Sequence, residues 1–114
     1  MPPIRSRIDA EHWLMRRLAL EGPGLWTVEE CRELGKKLAA DYRPRGGKWH
    51  VKHLAHGPDE IPAYVITRGR KLGIHSVADR ERAAEKADAI AHALNALDAK
   101  MRERLLHVSG IPEV

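Results

Sequence analysis

Phenylalanine is absent from this 114-residue chain, and the only aromatic side chains are two tyrosines and three tryptophans. Large core side chains must therefore come from Leu, Ile, Val and Met, with Trp13, Trp26 and Trp49 expected as packing anchors rather than stacking platforms. So few rings argue against a surface that recognises nucleic acid mainly by stacking bases. Cysteine occurs once, which excludes an intramolecular disulfide. Cys31 falls among Val28, Leu34 and Leu38 at helical spacing and reads as a buried thiol in a reducing, cytoplasmic compartment. No window approaches the ~20 apolar residues of a membrane span, and no basic stretch leads into an apolar run. Neither a membrane partner nor a secretory leader is expected. Gly-rich phosphate loops, a Gly-x-Ser-x-Gly elbow and a metalloprotease motif are all missing. Acidic residues lie mainly in mixed-sign runs such as Asp79-Arg-Glu-Arg82 and Arg102-Glu-Arg104, where pairing along a helix accounts for them. The chain reads as non-enzymatic, with no cofactor.

What is present is a confined charge bias. Residues 1–42 carry seven Lys or Arg against seven Asp or Glu, and residues 79–114 carry six against seven. Residues 43–78 carry seven cations against only Asp59 and Glu60, so the net charge of +4 arises there. A sign bias held in one structural unit makes a directed field that attracts anions.

The pattern predicts one α+β domain over residues 1–108, with 109–114 as a tail. Asp9 can cap a first helix from Ala10 to about Leu20, with Ile8 stapled onto Trp13, and Gly22-Pro23-Gly24 ends it. Thr27-Val-Glu-Glu30 has capping-box spacing and opens a second helix with the stripe Val28, Cys31, Leu34, Leu38, Tyr42. Alternation over Trp49–Leu54, Ala63–Arg68 and Lys71–Ser76 predicts a three-stranded antiparallel meander. Gly69-Arg70 fits a two-residue hairpin loop that sets Arg68 opposite Lys71, Ile66 opposite Gly73 and Tyr64 opposite His75. That register sends Val65, Thr67, Leu72 and Ile74 inward with Trp49 and Val51. Tyr64, Ile66, Arg68, Lys71, Gly73 and His75 then face outward, joined by His50 and Lys52 if the first strand extends the meander.

A last helix is expected from Ser76 or Asp79 to about His107, packed on the sheet through Ala83, Ala87, Ile90, Leu94, Leu97 and Met101. Eight alanines between residues 83 and 99 suit close approach. Such a helix reaches roughly 40 Å, longer than the sheet, and its overhang can meet the N-terminal helices or a second copy through Leu94, Leu97, Met101 and Leu105.

The candidate site is the outward basic face, Lys48, His50, Lys52, Tyr64, Arg68, Arg70, Lys71 and His75, continued by the turn that carries Arg43 and Arg45. Arg68 and Lys71, opposed, repel unless an anion or solvent relieves them. Edge protection by strand cations is the competing explanation, and it leaves the basic turn unexplained. His50, His53 and His56 are three apart, which in a strand points neighbours to opposite faces and does not chelate a metal. Protonation of these three and His75 would raise the segment from +5 to +9.

Pro44-Arg45-Gly46 resembles the Pro-Arg-Gly core of the AT-hook, which lies in the minor groove. Gly47-Lys-Trp49, two further strands and a helix beginning Asp79-Arg-Glu-Arg-Ala-Ala-Glu-Lys-Ala87 resemble in layout the arm-binding domains of phage-type integrases. That likeness spans roughly residues 47–97 and implies a sheet laid in the DNA major groove with a helix behind it. Gly73-Ile-His-Ser76 and the helix ending Ala93-Leu-Asn-Ala-Leu97 are also similar to small phage and prophage accessory proteins, among which are inhibitors of bacterial defence systems. Two functions are therefore expected of a small phage or mobile-element protein. The first is nucleic-acid binding through the basic face; the alternative is docking of the same face on an acidic surface of a host protein.

Overall fold

The computed structural model describes residues 4–56, 61–69 and 73–109, with side chains through Arg102. The elements run α1 (Arg7–Glu21), α2 (Val28–Asp41), β1 (Trp49–Leu54), β2 (Ala63–Arg68), β3 (His75–Ala78) and α3 (Ala83–Ser109). This is the expected α-α-β-β-β-α order, a helical hairpin, a three-stranded antiparallel sheet in the order β1-β2-β3 and a long C-terminal helix.

Local chemistry explains most boundaries. Ser6, not Asp9, caps α1: the Ser6 hydroxyl accepts from the Asp9 N–H, and the Asp9 carboxylate accepts from the Arg5 N–H. Asp9 therefore sits in the first turn, where a negative charge complements the helix dipole. Ile8 is exposed and staples nothing, whereas Ile4 is buried. The Thr27 capping box forms as the spacing predicts, with both reciprocal hydrogen bonds present. Val28 lies outside the buried stripe of α2, which contains Cys31, Leu38 and a residue the pattern passed over, Gly35. A Cβ at Gly35 would stand 3.0 Å from the Glu11 carbonyl and 3.2 Å from the Met15 nitrogen, so the two helices touch backbone to backbone there.

The central element is α3. It packs against α1 and against all three strands, and is buried at Ile90, Leu94 and Leu97 as well as at Ala89, Ala91 and Ala93. Alanine around the helix allows neighbours on more than one side to approach closely. Seven large apolar side chains are essentially inaccessible: Leu14, Leu18, Leu38, Ile66, Ile90, Leu94 and Leu97. Each contributes roughly 1.5–3 kcal/mol of transfer free energy. Leu94 and Leu97 are consumed in this way by the chain's own core, so they offer no surface to a second copy; Met101 is half-buried against the same core, and the Leu105 side chain lies outside the described residues. Among the described residues no helix is long and apolar enough to cross a membrane.

The sheet departs from expectation in register and in orientation. Ile66 pairs with His75 and Tyr64 with Val77, two residues beyond the two-residue hairpin register. Gly69 does adopt φ +66°, but the chain returns to the sheet only at His75. The shifted register brings Val77 and Ala78 into the ladder, which places Val77 against the core opposite Tyr64. Lys71 and Arg70 lie outside the described residues, so the expected pairing of Arg68 with Lys71 is not part of the observed ladder. α3 opens at Ala83 because Ser76–Ala78 are drawn into β3 and Arg82 adopts φ +59°, off the helical path.

Orientation is the larger correction. Trp49 pairs with Arg68 and Val51 with Ile66, so these four share one face with Tyr64, His75 and Val77. That face turns toward α3, and His50, Lys52, Val65, Thr67 and Ser76 lie on the other, where Thr67 is nonetheless buried as expected. Arg68, Tyr64, Ile66 and His75 are thus inward, the reverse of the sequence expectation. Two strand faces compete for the core, and the one with Trp49, Val51, Ile66 and Val77 carries the larger apolar load.

Candidate anion-binding surface and cleft

Arg68 shows why the inward face tolerates a cation. Its Nη2 donates to both oxygens of Asp98 at 2.7 and 2.6 Å, and the two side chains are only 10% and 7% exposed. The guanidinium carbon lies 4.1 Å from the centre of the Trp49 ring. Asp98 also accepts from the Tyr42 hydroxyl at 2.6 Å. Burial, together with that carboxylate, pushes the Tyr42 hydroxyl well above the usual tyrosine range. Asp98 is thus the hub of a buried polar layer between the end of α2, the end of β2 and the middle of α3. Arg68 Nε and Nη1 remain without a hydrogen-bond partner among the described residues.

Beside this layer, Asn95 does the work of a neighbouring strand. Its Oδ1 accepts from the Trp49 N–H at 2.9 Å, and its Nδ2 donates to the Trp49 carbonyl at 3.0 Å. Ala91, Asn95 and Asp98 recur at helical spacing directly beside Ile90, Leu94 and Leu97. Polar residues at that spacing along a buried alanine-rich helix were the available signal for both Asn95 and Asp98.

The other sequence-predicted residues divide into two groups. Tyr64 is half-buried on the α3 side, its ring centre 4.6 Å from that of His53 and tilted 42° to it. His75 is half-buried, and burial, with Lys37 nearby, pushes its pKa down to about 4. It therefore adds no charge under mildly acidic conditions, contrary to the expectation for the four histidines. His53 contacts Asp79 at 2.9 Å through Nε2. His50 and His53 point to opposite faces, as strand geometry requires.

Arg43, Arg45, Lys48, His50 and Lys52 form the second group, and all are exposed. Arg43 donates to the Tyr42 carbonyl at 2.9 Å. No ion pair joins Arg43, Arg45, Lys48 or Lys52 to a carboxylate among the described residues, while α1 and α2 pair Arg7 with Glu11, Arg17 with Glu21, Arg32 with Glu29 and Lys37 with Asp41. His50 and Lys52 project from the sheet face opposite α3. Arg43 and Arg45 border a cleft of about 450 Å³ between the α2–β1 connection and the turn after β2, with Trp49, Gly47, Gly69 and Ile74 among its walls.

The chain matches no protein-family model, no curated protein and no solved structure.

Proposed function

We propose that this protein is a small, non-enzymatic nucleic-acid-binding module that contacts phosphates through the α2–β1 connection and the exposed side of β1 that carries His50 and Lys52. The supporting observation is the run from Arg43 to Lys52, whose cations are exposed and without a carboxylate partner among the described residues. Arg43, Arg45, Lys48 and Lys52 supply fixed charge. With the Trp49 and Tyr64 rings turned inward, recognition rests on backbone charge and tolerates sequence. This moves the contact surface off Arg68, Tyr64 and His75.

Titration of labelled single- and double-stranded DNA and RNA across a salt series tests this reading. Neutralising four phosphates gives a slope of about −3 to −4 in log affinity against log salt. The Lys48→Glu/Lys52→Glu variant weakens binding and lowers the slope by about 2 in magnitude. Absence of binding at low salt, or unchanged binding by the variant, overturns the proposal. Arg68 is unsuited to this test, because its removal would strand Asp98 in the core.

A further inference from the structure

The cleft beside the basic connection is lined in a way that general phosphate attraction does not explain. We infer that it seats a phosphate monoester of nucleotide size, supplied by the phosphorylated end of a nucleic-acid strand; this rests on the nucleic-acid reading above for the partner.

The first argument is charge matching. Of the ionised side chains lining the cleft among the described residues, Arg68 is compensated by Asp98, and Asp41 has Lys37 3.4 Å away. Arg43 and Arg45 remain, bringing two positive charges with no carboxylate partner among the described residues. An internal phosphodiester carries one negative charge, whereas a terminal monoester carries about −1.5 to −2 at neutral pH and offers three strong acceptor oxygens. Two arginines at one cleft fit the terminal group better, and arginine is the side chain suited to bidentate phosphate contact.

Gly47 supplies the second. Gly46 is glycine for reasons internal to the chain: its φ is +134°, and a Cβ there would collide with the Arg68 side chain. At Gly47 neither reason holds. Its φ lies outside the left-handed range, and a Cβ added to it meets nothing within 4 Å. The described residues leave that space open near Arg45, so a ligand can approach the Gly47 backbone, where an N–H is an additional donor for a phosphate oxygen.

Size is the third. A volume of about 450 Å³ falls in the range of small-molecule pockets, about 300–1,000 Å³. It exceeds what a lone inorganic ion fills, and Trp49 and Ile74 add apolar wall behind the arginines. The ligand class is therefore a phosphate attached to a nucleoside.

The test compares one oligonucleotide sequence bearing a 5′-phosphate, a 3′-phosphate or only hydroxyl ends, with adenosine monophosphate as the free-nucleotide arm, all at fixed salt. A phosphorylated end should bind about tenfold or more tightly than the hydroxyl form. Gly47→Leu should weaken binding of the phosphorylated end by about tenfold more than it weakens binding of the hydroxyl form, with the melting temperature unchanged. Arg45→Gln, a surface substitution, should reduce the preference independently. Equal affinity for all three oligonucleotides overturns the cleft assignment and leaves the nucleic-acid reading standing. A preference that survives both variants places the end group elsewhere and also overturns it. Saturable binding of adenosine monophosphate without any oligonucleotide binding keeps the cleft chemistry but overturns the strand end as its source. No binding of any probe overturns both proposals.

Discussion

The helical hairpin and the segment after it carry the same number of arginines and lysines, seven in residues 1–42 and seven in residues 43–78, yet use them differently. On α1 and α2 a carboxylate three or four residues away lies on the same helix face, and four cations are paired in that manner. From Tyr42 to Pro58 there is no acidic residue at all. A turn and a strand also lack the helical repeat that brings i and i+4 together. Surface charge in this chain thus differs by segment: four of seven cations are paired along the helical hairpin, and none from Arg43 to Lys52 has a carboxylate partner among the described residues. One cation of the basic segment is exempt, since Arg68 is buried and matched by Asp98.

That exemption is the sharpest place to break the comparison. Asp98→Ala leaves a buried guanidinium without its counter-ion and the Tyr42 hydroxyl without its acceptor. Urea unfolding should show a loss of about 3–5 kcal/mol, against at most ~1 kcal/mol for an exposed pair such as Arg7 and Glu11. A loss below about 1 kcal/mol would mean that the polar layer is not structural. The two regions also contain glycines with opposite meanings. Gly35→Val forces methyl groups into the backbone of α1 and should cost about 1–3 kcal/mol through overpacking. The same change at Gly47 meets open space and should stay within about 0.5 kcal/mol. Equal effects at both positions would remove the argument that the cleft glycine serves something outside the chain.

A smaller effect concerns the histidines. His75 is held neutral by burial, with a pKa lowered from 6.5 to about 4. The unfolded chain therefore binds more protons between these values, so stability is fully present above about pH 6.5 and declines as pH falls toward 4. The decline should be on the order of 1–2 kcal/mol, reduced by partial exposure of the ring. In His75→Gln the part of the pH dependence due to this ring should vanish; an unchanged profile would assign it to other groups.

Much of the architecture was legible in residue order. The element sequence, the Thr27 capping box and the Ile90, Leu94, Leu97 seam follow from spacing and cap chemistry alone. The direction of the sheet was not. Alternation tells which residues of a strand share a face, but β2 has apolar residues on both, Val65 on one and Tyr64 and Ile66 on the other. What settles the choice comes from elsewhere in the chain, Trp49 and Val51 by register and Asp98 thirty residues on in sequence. Arg68 read as a surface cation for that reason, since nothing local to Thr67-Arg68-Gly69 announces a buried carboxylate. The exposed cations from Arg43 to Lys52 were visible because they depend on no distant partner.

The double hydrogen bond from the Asn95 side chain to Trp49 has a consequence for assembly. β1 is a border strand whose opening residue already has its main-chain donor and acceptor engaged by a side chain of α3. An incoming extended peptide would have to displace that amide before it could align there, so lateral growth of the sheet into a larger ribbon is discouraged at that corner. A single side-chain amide thus occupies the corner of the sheet where strand addition would otherwise begin.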